Sequence, residues 1–469
     1  MKRTKAILLH LCIFLTFSCR KFVTVSLPGT EVSETEIYSN DIAARSAILG
    51  IYGEMIGENG FASGNTRSAS LLCALSADEL DTRSAITAIR EFRDNSLDPA
   101  NSAIKDALWG EPYKCIYAAN AFLIGIQKSD KVSPDVKKQL SGEALFARAF
   151  CYFYLVNLFG DVPYTTGIDY KQNRDLHRNH HSFVYDRIAS DLRDARDNLS
   201  ADYINNEPSN DNRVRPNKWA AIALLARVSL YMGKWADAEI LSNSVIANTD
   251  QYSLESSLDE VFLIRSREAI WQLKPNTAGI NTWEGKNLIL TAGPSAGESN
   301  SCLLTADLIN AFEHGDLRRR SWVDSVIGPD STVYHYAHKY KIKNGDSPSE
   351  YSMVLRLAEQ YLIRAEARAR LGDTAGANED LNKVRSRAGL PAINAPTTDA
   401  LLAAILKERR MELFTEWGHR WLDLKRCGKA GAVLQPFKNT TRWQDTDTLY
   451  PIPRSELLLN QQLAQNPGY

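Results

Sequence analysis

Two stretches of this chain can be laid over one another: "ALLARVSLYMGKWADAEILSNSVI" (223–246) and "LIRAEARARLGDTAGANEDLNKVR" (362–385). Gly233 then falls on Gly372, and Ala226, Ala236 and Ala238 fall on Ala365, Ala375 and Ala377. Each stretch reads as a helix, a glycine-centred turn and a second helix, with small alanines where the two helices face each other. A pair of this kind buries its apolar face only by stacking on neighbours. The repeat therefore predicts a mostly α-helical fold built as a stack of helical hairpins.

Other segments extend the stack. Ser133-Pro134 starts a helix whose face carries Val136, Leu140, Ala144, Ala147, Cys151, Tyr154 and Leu158, and Gly160 and Pro163 stop it. With the amphipathic segment 182–199 it forms a more divergent hairpin. Residues 107–126 read as another helix, with Trp109, Tyr113, Ile116 and Asn120 along one side. Ser33 to Glu36 reads as a capping box, followed at helical spacing by Ile37, Ala44, Ile48, Ile51 and Met55. Between the two matched hairpins, about 248–350, the chain turns rich in Gly, Ser, Asn and Thr, with strand-like alternation at 331–342. That is too long for a simple connection and predicts an irregular, loop-rich lobe.

The start of the chain reads as a leader. Lys2, Arg3 and Lys5 precede the mainly apolar stretch 6–17, which falls short of the ~20 residues a membrane-spanning helix needs. Cys19, after the small Ser18, reads as a lipidated cysteine that becomes the mature N-terminus. The formal net charge is −1, and loss of residues 1–18 leaves −4, a balance that gives no basic face for nucleic acid. Cys73, Cys115, Cys151, Cys302 and Cys427 are scattered without CxxC spacing, so they read as structural thiols, not a disulfide framework or zinc site.

Four further motifs carry a family likeness. "ARAFCYFYLVNLFGDVPY" (147–164), "VLRLAEQYLIRAEARARLGD" (354–373), "ERRMELFTEWGHRWLDLKRCGKA" (408–430) and "YPIPRSELLLNQQLAQNPGY" (450–469) resemble, in order, signatures of the SusD/RagB family, and "SCRKFVTVSLP" resembles its lipoprotein tether. The resemblance implies a tetratricopeptide-like α–α superhelix with a ligand-binding lobe, and a layout of signal peptide 1–18, lipidated tether 19–32 and SusD-like domain 33–469. That domain divides near residue 220 into an N-terminal part (about 33–220) and a RagB/SusD C-terminal part (about 221–469). It further implies an outward-facing lipoprotein of the outer membrane that captures oligosaccharides for a SusC-like TonB-dependent transporter, without cofactor. Two features depart from the family pattern: Val23-Thr24 follows Phe22 where Leu-Asp is common, and no acidic residue lies between Cys19 and Glu31.

Sugar recognition needs an aromatic face against the C–H side of a ring and polar groups around its edge. Covering roughly 50 Å² yields only ~1.2 kcal/mol, whereas millimolar binding needs about −4 kcal/mol, so several contacts must converge. Trp283, in the polar stretch "GINTWEGKN", is the first candidate, with Asn281, Glu284 and Lys286 as edge partners. Asn65, Arg67, Asp78, Asp81, Arg83, Tyr334 and Tyr336 form a second rank, while Trp109, Trp219, Trp235, Trp417 and Trp421 sit in helical patterns and read as core.

Glu412 and Glu416 lie one helical turn apart, the spacing of a carboxylate pair, but the interleaved arginines read as ion pairs that keep both deprotonated, so no catalytic residue is expected. No carboxylate or cysteine near His177, His180 and His181 in "LHRNHH" completes a ligand set at usual spacing, and they read as a solvated connector instead of a metal site. The reading is thus a non-enzymatic glycan receptor. The alternative is peptide or glycopeptide uptake, RagB-like; a glycan-cleaving enzyme and a pure tetratricopeptide scaffold rank lower.

Overall fold

The computed structural model describes residues 34–58, 60–204, 213–295, 301–329, 331–438 and 443–469. The signal, Cys19, the tether and Ser33 lie outside the described residues. The expected helical hairpin stack with a loop-rich lobe is the fold observed.

The stack begins at α1 (Asp41–Ile56), whose cap is Asn40: its Oδ1 accepts from the amides of Ile42 (3.0 Å) and Ala43 (2.9 Å). The continuous helix expected from Ser33 is therefore broken, with only a single turn at Glu34–Ile37 before Asn40. After a turn of π-helix at Ala103–Gly110 come α2 (Glu111–Lys128) and α3 (Pro134–Phe159), which ends at Gly160, and then α4 (His181–Asn198), packed along α3. Arg148 of α3 grips Asp191 of α4 through two bonds of 2.7 and 2.8 Å.

The two matched segments form α5 (Lys218–Tyr231) with α6 (Trp235–Ile246), and α7 (Leu357–Leu371) with α8 (Thr374–Arg387). Gly233 and Gly372 hold φ of +70° and +89°, a conformation that side-chain-bearing residues rarely adopt. Ala226, Leu230 and Ala238 pack directly on Ile363 and Ala367, joining the two hairpins into one layer. Ala238 and Ala377 are buried as the pattern requires, but Ala236 and Ala375 face solvent, because two residues along a helix turn the side chain by more than half the circumference.

The lobe is tied to the stack by β-structure. Three two-stranded antiparallel pairs join β1 (Leu80–Thr82) to β3 (Cys302–Leu304), β2 (Ala269–Leu273) to β6 (Ser352–Arg356), and β4 (Val323–Ile327) to β5 (Val333–Ala337). β6 runs straight into α7, so the lobe returns to the stack on a strand whose five residues are all buried. Trp271 of β2 meets Phe146 and Phe150 of α3 edge to face at centroid distances of 4.8 and 5.2 Å. Among the described residues no helix is long and apolar enough to cross a membrane.

Two helices of the C-terminal part, α9 (Thr398–Leu413) and α10 (His419–Arg426), carry the dense charge motif inward. Arg356 pairs with Glu268 (2.8 Å), Glu412 (2.6 Å) and Glu416 (2.8 Å), and Arg318 with Asp316 (2.9 Å), Glu408 (2.7 Å) and Glu412 (3.0 Å). Burial by itself would raise the Glu412 carboxyl, but Arg387, Arg356 and Arg318 hold it well below the usual carboxylate range. Both glutamates are ion-paired as expected, but not with the interleaved arginines: their partners come from outside the motif, while Arg409 pairs with Asp423 (2.7 Å) and Arg410 and Arg420 pair with Asp78 (2.9 and 2.8 Å). Removing one partner of a buried pair strands the others, so Glu412→Ala should cost about 3–5 kcal/mol in a guanidinium unfolding curve. Since the folded value lies below the ordinary 4.5, this stabilisation is complete above that pH and is lost as pH falls through the folded value. A variant as stable as the parent would contradict the network's role.

Candidate functional site

The N-terminal loop 60–68 folds against the lobe helix Trp283–Leu288. A Cβ on Gly64 would lie 2.2 Å from the Glu284 carboxyl carbon, and Gly64 also has φ +83°, so this approach requires glycine. Asn65 is buried; its Oδ1 accepts from the Arg67 amide (2.7 Å), while Ser68 Oγ donates to its carbonyl (2.8 Å). These bonds turn the loop and leave the Arg67 side chain half-buried at its edge.

Trp283 is not a platform in a flexible loop. Thr282 caps a short helix by accepting the Gly285 amide (3.0 Å), and the indole is only 8% exposed. Its neighbours are also committed to the fold. Asn281, fully buried, donates from Nδ2 to the Gly345 carbonyl (3.2 Å) and accepts the Ser349 amide (2.7 Å). Glu284 accepts the Ser352 hydroxyl, its other oxygen has no partner among the described residues, and burial pushes its carboxyl up to about 7. Lys286 Nζ donates to Asn344 (2.7 Å).

The remaining expected residues separate. Asp78 is buried in a bidentate pair with Arg420 (both 2.8 Å) and a further pair with Arg410 (2.9 Å). Tyr336 is buried with Ile289 and Leu290 and donates to Asp324 (3.1 Å), and Tyr334 packs half-buried on the same cluster. Asp81 and Arg83 remain accessible. Asp81 opens into a groove of about 430 Å³ between β1–β3 and the C-terminal helices, lined also by Arg93, Asp94, Asp307, Phe437 and Lys438. Arg83 stands exposed just past β1, its amide bonded to the Ser301 carbonyl (3.0 Å).

Of the groove's carboxylates, Asp81 is the loosely paired one, since Arg93 holds Asp94 through two bonds (2.7 and 3.0 Å) and Asp307 pairs with Arg410 (2.5 Å). Arg93 reaches Asp81 at 3.9 Å and Asp94 at 2.7 Å, all three partly exposed. Lys438 Nζ donates to the Leu75 and Arg93 carbonyls (2.6 and 2.8 Å), and burial, against the pull of Asp78, Asp81 and Asp94, brings it down to about 7. Carboxylates, guanidinium and the Phe437 ring thus border one opening, a set suited to hydroxyl-rich ligands.

A second concavity of about 440 Å³ lies between α2 and the C-terminal segment. Trp109 and Tyr113 form its floor with centroids 5.0 Å apart, Tyr117 and Tyr170 stand 52% and 69% exposed at its rim, and the half-buried Glu456 faces it. The sequence reading placed Trp109 in the core, where it is, but missed Tyr117. The signal was present: Trp109, Tyr113 and Tyr117 recur at every fourth residue, one aromatic stripe down a helix.

A profile of the SusD family matches residues 317–469, and a second, described as starch-binding and associating with the outer membrane, matches residues 47–230. Over 100% of both chains the sequence is 26% identical to SusD-like protein P25 of Formosa agariphila. The chain belongs to the SusD family. Solved SusD structures share the fold: a SusD homolog from Bacteroides thetaiotaomicron superposes with TM-score 0.79 at 21% identity, over 94% of this chain and 99% of its own. A laminarin-binding SusD-like protein does so with TM-score 0.77 at 25% identity, over 92% of this chain and all of the other.

Within this SusD-family chain, the clip between the 60–68 loop and the lobe contains an ionisable weak point. Glu284 in the folded chain titrates near 7 against 4.5 when exposed, so its contribution is full below about 4.5 and lost as pH rises to about 7. Glu284→Gln should therefore raise the melting temperature relative to the parent by an amount that grows between those values and levels off above them. A pH-independent difference in a melting series would refute this.

Proposed function

We propose that this chain is a non-catalytic receptor, attached to the outer membrane through a lipidated Cys19, that captures a glycan and passes it unchanged to a SusC-like TonB-dependent transporter. The layout proposed is a signal at 1–18, a tether at 19–32 and one SusD-like domain, 33–469, in an N-terminal part about 33–220 and a C-terminal part about 221–469. The observation that carries the reading is the groove at Asp81, where accessible carboxylates, a guanidinium and an aromatic edge converge at the junction of stack and lobe. The family assignment and the laminarin-binding relative support glycan as the ligand class. Glu412 and Glu416 support the absence of catalysis, since both share the Arg356 guanidinium and neither is exposed to substrate.

One stacked ring contributes only ~1 kcal/mol, so the polar edge of the groove supplies much of the remainder through charge-assisted hydrogen bonds. The aromatic cleft offers a second location, favoured by the exposed Tyr117 and Tyr170 rings beside the Glu456 carboxylate, which no described residue pairs.

Calorimetric titration of residues 20–469 with soluble β-glucans, α-glucans and peptides tests the proposal. Replacing Asp81 and Asp94, both lining the groove, together by Ala should weaken glycan binding by about tenfold or more, ~1.4 kcal/mol, at unchanged melting temperature, whereas Tyr117→Ala should leave it intact. The reverse pattern moves the site to the cleft. Binding of peptides alone, or new reducing ends in the bound glycan, overturns the glycan-receptor reading.

A further inference from the structure

The connector "LHRNHH" acquires in three dimensions a carboxylate, Asp161, that the local sequence spacing does not supply. Asp161 closes the end of α3, and a backbone bridge returns the chain to it: Val162 and Asn179 exchange both amide–carbonyl bonds, at 3.2 and 2.9 Å. Arg178 fastens the same turn, donating from Nε to the Asp161 carbonyl (2.7 Å) and from Nη1 to that of Ala464 (2.8 Å). Asp161, His180 and His181 are thereby brought together, each offering a ligand atom within 4.8 Å of the others. The expectation that no carboxylate completes the set is corrected by this fold-back.

We propose that Asp161, His180 and His181 form a binding site for a borderline transition-metal cation of the Zn²⁺ class. Two imidazoles and one carboxylate suit zinc, nickel or copper; calcium and magnesium prefer an all-oxygen shell. At metal–ligand bonds of about 2.0–2.1 Å, two tetrahedral ligand atoms stand about 3.3 Å apart. His181 Nδ1 and Asp161 Oδ1 are already 3.1 Å apart, one edge of such a polyhedron. A ligand atom of His180 lies within 4.8 Å of both. Its ring lies 4.1 Å, centroid to centroid, from that of His181, and both are exposed.

The outer contacts suit this arrangement. His180 Nδ1 accepts the Ser182 amide (3.3 Å) with the Ser182 hydroxyl 2.8 Å away; binding a cation through Nε2 takes the other tautomer, in which Nδ1–H gives up the amide and donates to that hydroxyl. Asp161 is held in place by the His181 amide, which donates to its Oδ1 (2.7 Å). Three protein ligands leave a coordination position for water, and Asp161 and His181 border a cavity of about 530 Å³ through which water reaches them. The N-terminus of α4 carries positive partial charge and opposes a cation, so the Asp161 charge is required, not merely its shape. A cation here would pin the end of α3 to the start of α4.

The full chain purified in detergent and stripped with chelator is titrated with ZnCl₂ by calorimetry, and its melting temperature is followed with and without zinc. One zinc per chain is expected, with a raised melting temperature. His181→Ala and Asp161→Asn should each weaken binding at least about tenfold, while His177→Ala, outside the triad, should not. With Cu²⁺ as probe, nitrogen hyperfine structure in the paramagnetic resonance spectrum should fall from two imidazoles to one in His180→Ala. Metal-free melting curves of all variants matching the parent confirm that folding is intact; should His181→Ala fail this check, the copper spectrum of the parent decides by itself. Zinc bound equally by parent and triad variants, absence of zinc binding up to millimolar concentration, or a copper spectrum without two nitrogens would overturn the proposal.

Discussion

A charge cannot be left alone in a protein interior, and this molecule holds many. Arg356, Arg318 and Arg387 converge on Glu412, while Glu268 and Glu416 take the remaining donors of Arg356. The members come from β6, the lobe, α8 and α9, segments far apart in sequence. Desolvating each ion costs several kcal/mol, and only near-complete pairing offsets it. Any arrangement that shifts one segment strands a charge from another. The network is therefore a geometric lock whose weight lies in fixing the segments together.

The lock explains how a loop-rich lobe sits firmly on a helical stack. Helical hairpins need nothing more than stacked apolar faces, as the Ala226–Ala367 layer shows. Among its described residues the lobe has only short two-stranded ladders, too small to be stable by themselves. It is held from one side by Trp271 in the aromatic core of α3, and from the other by Arg318 and Lys339, which reach into α9 and its C-terminal turn. Lys339 illustrates the cost: burial brings it down to about 8 although Glu416 is its partner.

Local rules read well wherever contacts are local. The hairpins, their glycine turns and the end of α3 at Gly160 all follow from periodicity and stop signals within a few residues. The fate of polar side chains does not. Asp78 resembles a surface carboxylate until Arg420, 342 residues later, encloses it. Trp283 resembles a loop aromatic because its polar neighbours suggest solvent, yet Asn281 and Glu284 spend that polarity on the backbone of 345–350 and on Ser352. Asp161 joins His180 and His181 only through a fold-back of 20 residues. In each case the residue types were visible and the partner was not, because partnership is set by tertiary approach.

The same long-range contacts join the N-terminal loop to the lobe. The 60–68 loop presses Gly64 against Glu284, Glu284 receives the Ser352 hydroxyl, and Ser352 opens the strand that ends at Arg356 in the charge network. The N-terminal loop, the lobe and the network therefore form one mechanical chain. Weak ligands reward such a chain: if one sugar ring yields about 1 kcal/mol, the cost of ordering even one or two mobile side chains, each about 0.5–1.5 kcal/mol, would cancel it. A receptor that holds its groove on a buried ionic scaffold avoids that cost at each encounter. Under the proposed receptor reading, preorganisation by charge, with few ring contacts, lets the groove take up a hydrated ligand without gripping it too tightly to release.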